Sequence, residues 1–426
     1  MEKSDFKYSS YMEILDRELV PAMGCTEPIA IAFAAAKATE LLKVKPEKII
    51  LKVSGNIIKN VKSVIVPNTL GMKGLESAVL VGALYGDASK GLEVISSVTD
   101  EEATSLRELM TQIDIEVYPL STCHVLDIEV TAYKSEHTSF VHIQDEHTNI
   151  IELSYDDAPI SITSSTDSSV DSSVDYTLLT VDDIVDFAST CDLDDVKNLL
   201  DTQITYNKAI AVEGLHGHYG ASIGRLLMKQ DGCVRTKAKA LAAAGSDARM
   251  NGCNLPVVIN SGSGNQGLTA SLPVIAYAKH YEKSDENLYR SLLVSNLVTL
   301  HLKYGIGRLS AYCGAVSAGA GAGAGIAYLL TKDVTVIRHT IVNALAITSG
   351  IVCDGAKASC AAKIAMAVEA GIMGFEMYEE GNEFLDGDGI VSKGVENTIN
   401  NVSYLGHYGM KDTDEKIIEI MSKCYS

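Results

Sequence analysis

Four cysteines of this chain stand at the ends of helical stretches, where a thiol can do chemistry. Cys25 lies in "PAMGCTEPIA", ahead of an alanine-rich helix, and Cys313 in "AYCGAVSAGAGAGAG", ahead of a Gly/Ala helix. Cys353 and Cys360 share "GIVCDGAKASCAAKIAMA": the first ends an apolar helix before the Asp354-Gly355 break, the second falls in the first turn of the next helix. Unsatisfied N–H groups at a helix start carry partial positive charge, so they favour a thiolate or an anionic cluster. The C-x6-C spacing is neither that of a zinc ribbon nor that of a ferredoxin. Spacing alone therefore leaves a metal site and buried structural thiols both open.

These thiols must be positioned by a chain of 426 residues, long enough for two or three domains and a large core. An opening helix, residues 8–19, precedes the Cys25 motif, and a second, residues 28–43, follows it with Pro28 in its first turn. Residues 47–156 read as a small α+β unit: a strand in "KIILKVS", helices in "GLESAVLVGALYG" and "DEEATSLRELMTQ", then strands ending in a hairpin through "DEHTN". "SITSSTDSSVDSSVDY" has little to bury and reads as a linker. Beyond it the chain is mostly helical, with Thr180 capping the first helix. The fold class expected is α+β: a mainly helical catalytic domain with Gly/Ala-rich core helices and an inserted small α+β domain. Its divisions are 1–45, N-terminal helices packing on the catalytic domain; 46–160, the insertion; 161–179, the linker; and 180–426, the helical domain.

Composition narrows the function. A net charge of −20 argues against nucleic-acid or anionic-membrane binding, which need basic patches. Nine cysteines in a chain with a charged N-terminus point away from a disulfide framework and toward metal or catalytic use. The long uncharged run 309–331 is about half Gly and Ala, which suits a packed internal helix better than a membrane span. The expectation is a cytoplasmic protein, with a homodimer left open.

Taken together, "PAMGCTEP", "AYCGA" and "VCDGAKASC" resemble the L-cysteine desulfidase family, within the superfamily of the iron–sulfur L-serine dehydratase alpha chain. The resemblance extends to "VPNTLGMKG", "GLHGHYGASIGR" and "MNGCNLPVVINSGSGNQG", nearly the whole chain. It implies a 4Fe-4S cluster held by Cys313, Cys353 and Cys360, one iron left open for substrate, and Cys25 as a separate active-site thiol. The implied reaction is non-redox β-elimination of L-cysteine to pyruvate, ammonia and hydrogen sulfide. An open iron is a Lewis acid for the substrate thiolate. A thiolate with lowered pKa at a helix start suits Cys25 to acid–base work. Two departures from the serine dehydratase branch favour cysteine as substrate: the short C-x6-C gap, and "GCTEP" where those enzymes carry Ser-Ser-His-Thr.

The substrate's charged groups need partners. Ser263, Asn265 and Gln266 sit in a glycine-rich turn able to cradle a carboxylate, and Asn68 and Thr69 precede a helix with Lys73 nearby. Glu213 and Arg249 read equally as active-site charges and as helix-end ion pairs. His216 and His218 read as loop hydrogen-bonders, and His124, His137, His142 and His147 as surface residues. Cys123, Cys191, Cys233, Cys253 and Cys424 are left structural.

Three rival readings share parts of this pattern. An L-serine dehydratase-like enzyme would use the same ligands. A pyridoxal-phosphate β-eliminase would explain "SGSGNQG" but lacks a lysine motif and leaves three cysteines unemployed. A non-catalytic iron–sulfur or thiol sensor would keep the ligands and not need Cys25.

Overall fold

The computed structural model describes residues 1–162, 174–230 and 232–423. Most of the expected 161–179 linker, and Cys424, lie outside the described residues. The fold is α+β and mainly helical, built round two hydrophobic cores.

In the larger core the Gly314–Thr331 helix is central. The helices Gly264–His280, Asp285–Ile306, Val334–Thr348 and Cys360–Glu379 surround it. It is long and apolar enough to cross a membrane, yet 83% of it is buried inside the protein. Its small residues let neighbouring backbones touch. A Cβ on Gly371 would stand 2.2 Å from the carbonyl oxygen of Gly319, so only glycine permits this approach. Helices beginning at Cys313 and Cys360 are thereby fixed side by side.

The smaller core forms under a six-stranded mixed sheet. Its strand order is Asp114–Pro119, Lys48–Val53, Asp127–Lys134, His137–Gln144, Ile150–Tyr155, Ala158–Pro159. The first two strands are parallel, and such a pair needs a long crossover. The helices Gly55–Val61, Gly74–Tyr85 and Asp100–Leu109 provide it. Alternation is clean along His137–Gln144, where Ser139, Val141 and Ile143 face the core.

The two N-terminal helices part company. Phe6–Glu18 joins the large core, its Tyr8 ring 5.3 Å from Phe187 of the Val181–Thr190 helix, which Thr180 caps. Thr26–Leu42, expected to pack on the helical domain, belongs instead to the small core. It is apolar nearly all round and lies between the sheet and the Gly74–Tyr85 helix. Only its start reaches the large unit.

Two features hold that start in place. Pro21–Met23 pairs antiparallel with Pro256–Val258, joining the approach to Cys25 to the approach to the glycine-rich turn. The Thr26 hydroxyl then donates to the carbonyl of Gly262, 2.8 Å away. At the far end of the chain, Lys411–Lys423 closes over the Gly55–Val61 helix. There Lys59 pairs with Asp414 in a buried ion pair, and Lys62 Nζ donates to the Met421 carbonyl at 2.7 Å.

Candidate active site

A cavity of about 110 Å³ lies where the two units meet. It is well below the roughly 300–1,000 Å³ of drug-sized ligand pockets, so it suits a ligand of amino-acid size. Cys25, Cys313, Cys353 and Cys360 all line it.

Local structure explains the convergence of the last three. Cys313 is the N-cap of Gly314–Thr331, and Cys360 is the first residue of Cys360–Glu379. Cys353 does not end a helix as expected, because the preceding helix stops at Thr348. It directly follows an isolated antiparallel bridge between Tyr312 and Val352. Cys313 N–H donates to the Ile351 carbonyl at 3.1 Å, and Cys353 N–H to Ala311 at 2.6 Å. Strand alternation puts the two thiols on one side of this ribbon. Burial pushes Cys313 up to about 12, with the charge of Cys353 the next cause; burial likewise raises Cys360.

Among the described residues, no three His, Cys, Asp or Glu side chains close round a single metal ion. Three soft thiols spread round one cavity wall fit a polynuclear cluster, whose separate irons each take one ligand. Lys303 completes the fit: it is buried and lines the same cavity. Burial draws its ammonium down to about 8, partly offset by Cys353 and Cys313. A cation there balances an anionic group.

Cys25 is 3% exposed and, at rest, is not the low-pKa thiolate anticipated from its helix start. Burial raises it well above its ordinary value, and the charge of Glu27 raises it further; Arg249 pulls weakly the other way. The helix-terminus effect loses because the thiol is dry and faces a carboxylate. Its Sγ–H donates to Glu27 Oε2 at 3.1 Å, while Asn60 Nδ2 donates to Oε1 at 2.9 Å. The Glu27 carboxyl is itself held below its ordinary value. Burial opposes this, but His147, the Cys25 thiol, backbone N–H groups and Arg249 together outweigh it. The pair is a protonated thiol beside a carboxylate.

Ser263, Asn265 and Gln266 line the cavity too, at the start of Gly264–His280. Asn265 Oδ1 and Gln266 Oε1 are buried without hydrogen-bond partners. Asn68 and Thr69 are not there. Their side chains are consumed locally, Asn68 Nδ2 on the Ile95 carbonyl at 2.8 Å and Thr69 Oγ1 on Val66 at 2.7 Å, and they border a separate small cavity.

Arg249, which the sequence left open between an active-site charge and a helix-end ion pair, and His147 both stand on the cavity. Arg249 is 2% exposed and lines the cavity, yet it has no anionic partner among the described residues, and its Nε lacks a hydrogen bond. Glu213, by contrast, accepts from Tyr219 at 2.9 Å, outside the cavity. His147, expected at the surface, is buried in the cavity wall, because the turn between the third and fourth strands of the antiparallel run folds inward. His216, expected in a loop, instead ends the Leu193–His216 helix with its Nδ1 against the Val212 carbonyl one turn back, while His218 stays in a loop contact with Arg225.

Comparison with known proteins agrees with a family assignment. A profile described as serine dehydratase alpha chain matches residues 89–419. A UPF0597 protein of Desulfitobacterium hafniense is 55% identical over the full length of both chains. One from Finegoldia magna is 50% identical, covering 97% of this chain and 99% of its own, and one from Treponema denticola is 44% identical, covering 98% of each.

Proposed function

Since the chain belongs to the serine dehydratase alpha chain family, we propose that it is an iron–sulfur lyase of the L-cysteine desulfidase type, converting L-cysteine to pyruvate, ammonia and hydrogen sulfide. The observation that carries this reading is the meeting of Cys25, Cys313, Cys353 and Cys360 on one small cavity beside an unpaired buried guanidinium.

Cys313, Cys353 and Cys360 would hold the 4Fe-4S cluster, which when bound supplies a Lewis-acidic iron with an open position for the β-substituent. The protein's own groups do the rest. Arg249 offers a fork of N–H donors to the substrate carboxylate. Asn265 and Gln266 stand beside it with polar groups to spare. Cys25 and Glu27 act as a relay: as Cys25 Sγ takes the α-proton, its own proton passes to Glu27 Oε2. The electron pair of the Cα–H bond becomes the Cα=Cβ bond, and the Cβ–S bond breaks with its pair on sulfur. Aminoacrylate is released, tautomerises and hydrolyses to pyruvate and ammonia. No electron is gained or lost overall.

A second reading, dehydration of L-serine, is favoured by the family's description. It uses the same residues with hydroxide as leaving group. Anaerobically purified protein, assayed for iron, acid-labile sulfide, sulfide release from L-cysteine and pyruvate from L-serine, tests both. Sulfide release exceeding serine turnover supports the desulfidase. The reverse order favours the dehydratase, and no turnover of either rejects the enzyme reading.

A further inference from the structure

The inserted α+β unit lines the cavity with Lys59, Asn60 and Leu126, and also sends one turn into its wall. In that turn Glu146 pairs with Arg17, and stands 3.8 Å from Arg308, whose other contact is Glu18 at 2.6 Å. Arg17 and Glu18 belong to the first helix, so that helix and Arg308 together clamp the turn. Its next residue, His147, is thereby pressed against the glycine-rich turn of the large unit. A Cβ on Gly262 would stand 3.1 Å from His147 Cε1 and 3.2 Å from an Arg308 terminal nitrogen, and Gly262 also has a φ of 73°. A side chain here would force the ring away.

The result is an imidazole 6% exposed in the cavity wall, with Nε2 lacking any hydrogen bond. A buried polar atom without a partner costs about 1–3 kcal/mol and points to a ligand that satisfies it. The charges facing His147 are Glu27, Glu146, Arg249 and Arg308. Arg249 answers a carboxylate. What remains is a carboxylate, Glu27, next to a neutral ring nitrogen, and this combination answers a cation that donates hydrogen bonds.

We propose that His147, delivered by the inserted unit, binds the α-ammonium group of the substrate through Nε2, with Glu27 supplying the opposite charge. The cavity then matches a zwitterion end for end: guanidinium to carboxylate, imidazole and carboxylate to ammonium. The substrate class is accordingly an α-amino acid, and a thiol acid without the amino group binds without using His147. Burial, which holds the ring down to about 4, keeps it neutral and able to accept. The proton sits on Nδ1 in this arrangement.

This inference rests on the amino-acid reading above, and the experiment separates the two. In His147→Phe the ring shape stays and the acceptor goes; His147→Gln restores an acceptor. The KM for L-cysteine and the inhibition constant of 3-mercaptopropionate, which is L-cysteine without its amino group, are measured for both variants and the parent. In His147→Phe the KM is expected to rise about tenfold or more with kcat little changed, while 3-mercaptopropionate stays within about twofold. His147→Gln recovers part of the loss. Equal weakening of both compounds, or of neither, overturns the assignment. Should the parent turn over no L-cysteine, the catalytic reading fails. Calorimetric dissociation constants of the same two compounds then decide the role of His147 by the same criterion, and matching melting curves exclude misfolding as the cause.

Discussion

Cys25 donates a hydrogen bond to Glu27: the thiol Sγ lies 3.1 Å from the carboxylate Oε2, two residues further along the same chain turn. Glu27→Gln removes the charge that helps keep the thiol protonated. Cys25 should then be alkylated severalfold faster by iodoacetamide, while turnover falls about 100-fold, within the usual range for a lost acid–base group. Peptide mapping of the alkylated thiol alongside steady-state kinetics measures both. Slower or unchanged alkylation with full activity would remove Glu27 from the relay.

Among the described residues Arg249 is a buried charge with no ion-pair partner, which is unfavourable for the fold and useful for a ligand. Arg249→Met should leave the melting temperature unchanged or raise it, equivalent to about 1 kcal/mol or more, as apolar replacements of buried charges can. The same variant should lose roughly 100-fold in kcat/KM, and Arg249→Lys should recover only part, lacking the planar fork. A loss of stability together with activity would make Arg249 a structural residue.

The acid limb of stability tests the environment of His147. Its folded value, about 4, lies below the ordinary 6.5 because burial outweighs the attraction of Glu27. Between those values the unfolded chain binds a proton that the folded one refuses. The contribution is therefore complete above about pH 6.5 and is lost as the pH falls toward 4, on the order of 3 kcal/mol. Denaturant titrations from pH 7 to 4.5 should show a shallower decline for His147→Phe than for the parent. Parallel declines would mean the ring charges freely in the folded state.

Gly371→Ala places a methyl group against the backbone of Gly319. Separating the two helices should cost about 3 kcal/mol, near the top of the range for overpacking. Because these helices carry Cys313 and Cys360, iron content after anaerobic reconstitution should fall with stability. Full iron content in a destabilised variant would show that the helix contact does not set the thiol spacing.

Much of this site was legible in the sequence. Cys313 and Cys360 announce themselves by standing at helix starts, and the glycine-rich run around Gln266 by its composition. What escaped were properties set by distant packing. His147 sits in a hairpin turn whose local pattern says only "turn"; its burial comes from Arg17, Arg308 and Gly262, all far away in sequence. Asn68 and Thr69 read from sequence as ligand-binding residues yet border a different cavity, because residues that hydrogen-bond ligands are the same ones that hydrogen-bond turns. The acidity of Cys25 departs from the sequence expectation for a related reason. A helix start lowers a thiol's pKa only if water or a cation accompanies it, and neither burial nor the charge of Glu27 can be summed from one stretch of residues. The second helix followed the same rule, since an all-round apolar surface does not say which core will claim it.

The short ribbon between Pro21–Met23 and Pro256–Val258 bears on how the protein is made. Synthesis proceeds from the N-terminus, so Cys25 leaves the ribosome long before the surfaces that will enclose it exist. Thr26 must wait for Gly262, 236 positions later, before its hydroxyl is satisfied. Contacts so remote in sequence slow folding and place the joining of the two units late. Cys353 and Cys360 come later still. Nascent chains therefore display Cys25 without its cavity, and the proposed loading of a cluster on Cys313, Cys353 and Cys360 would belong to the finished polypeptide.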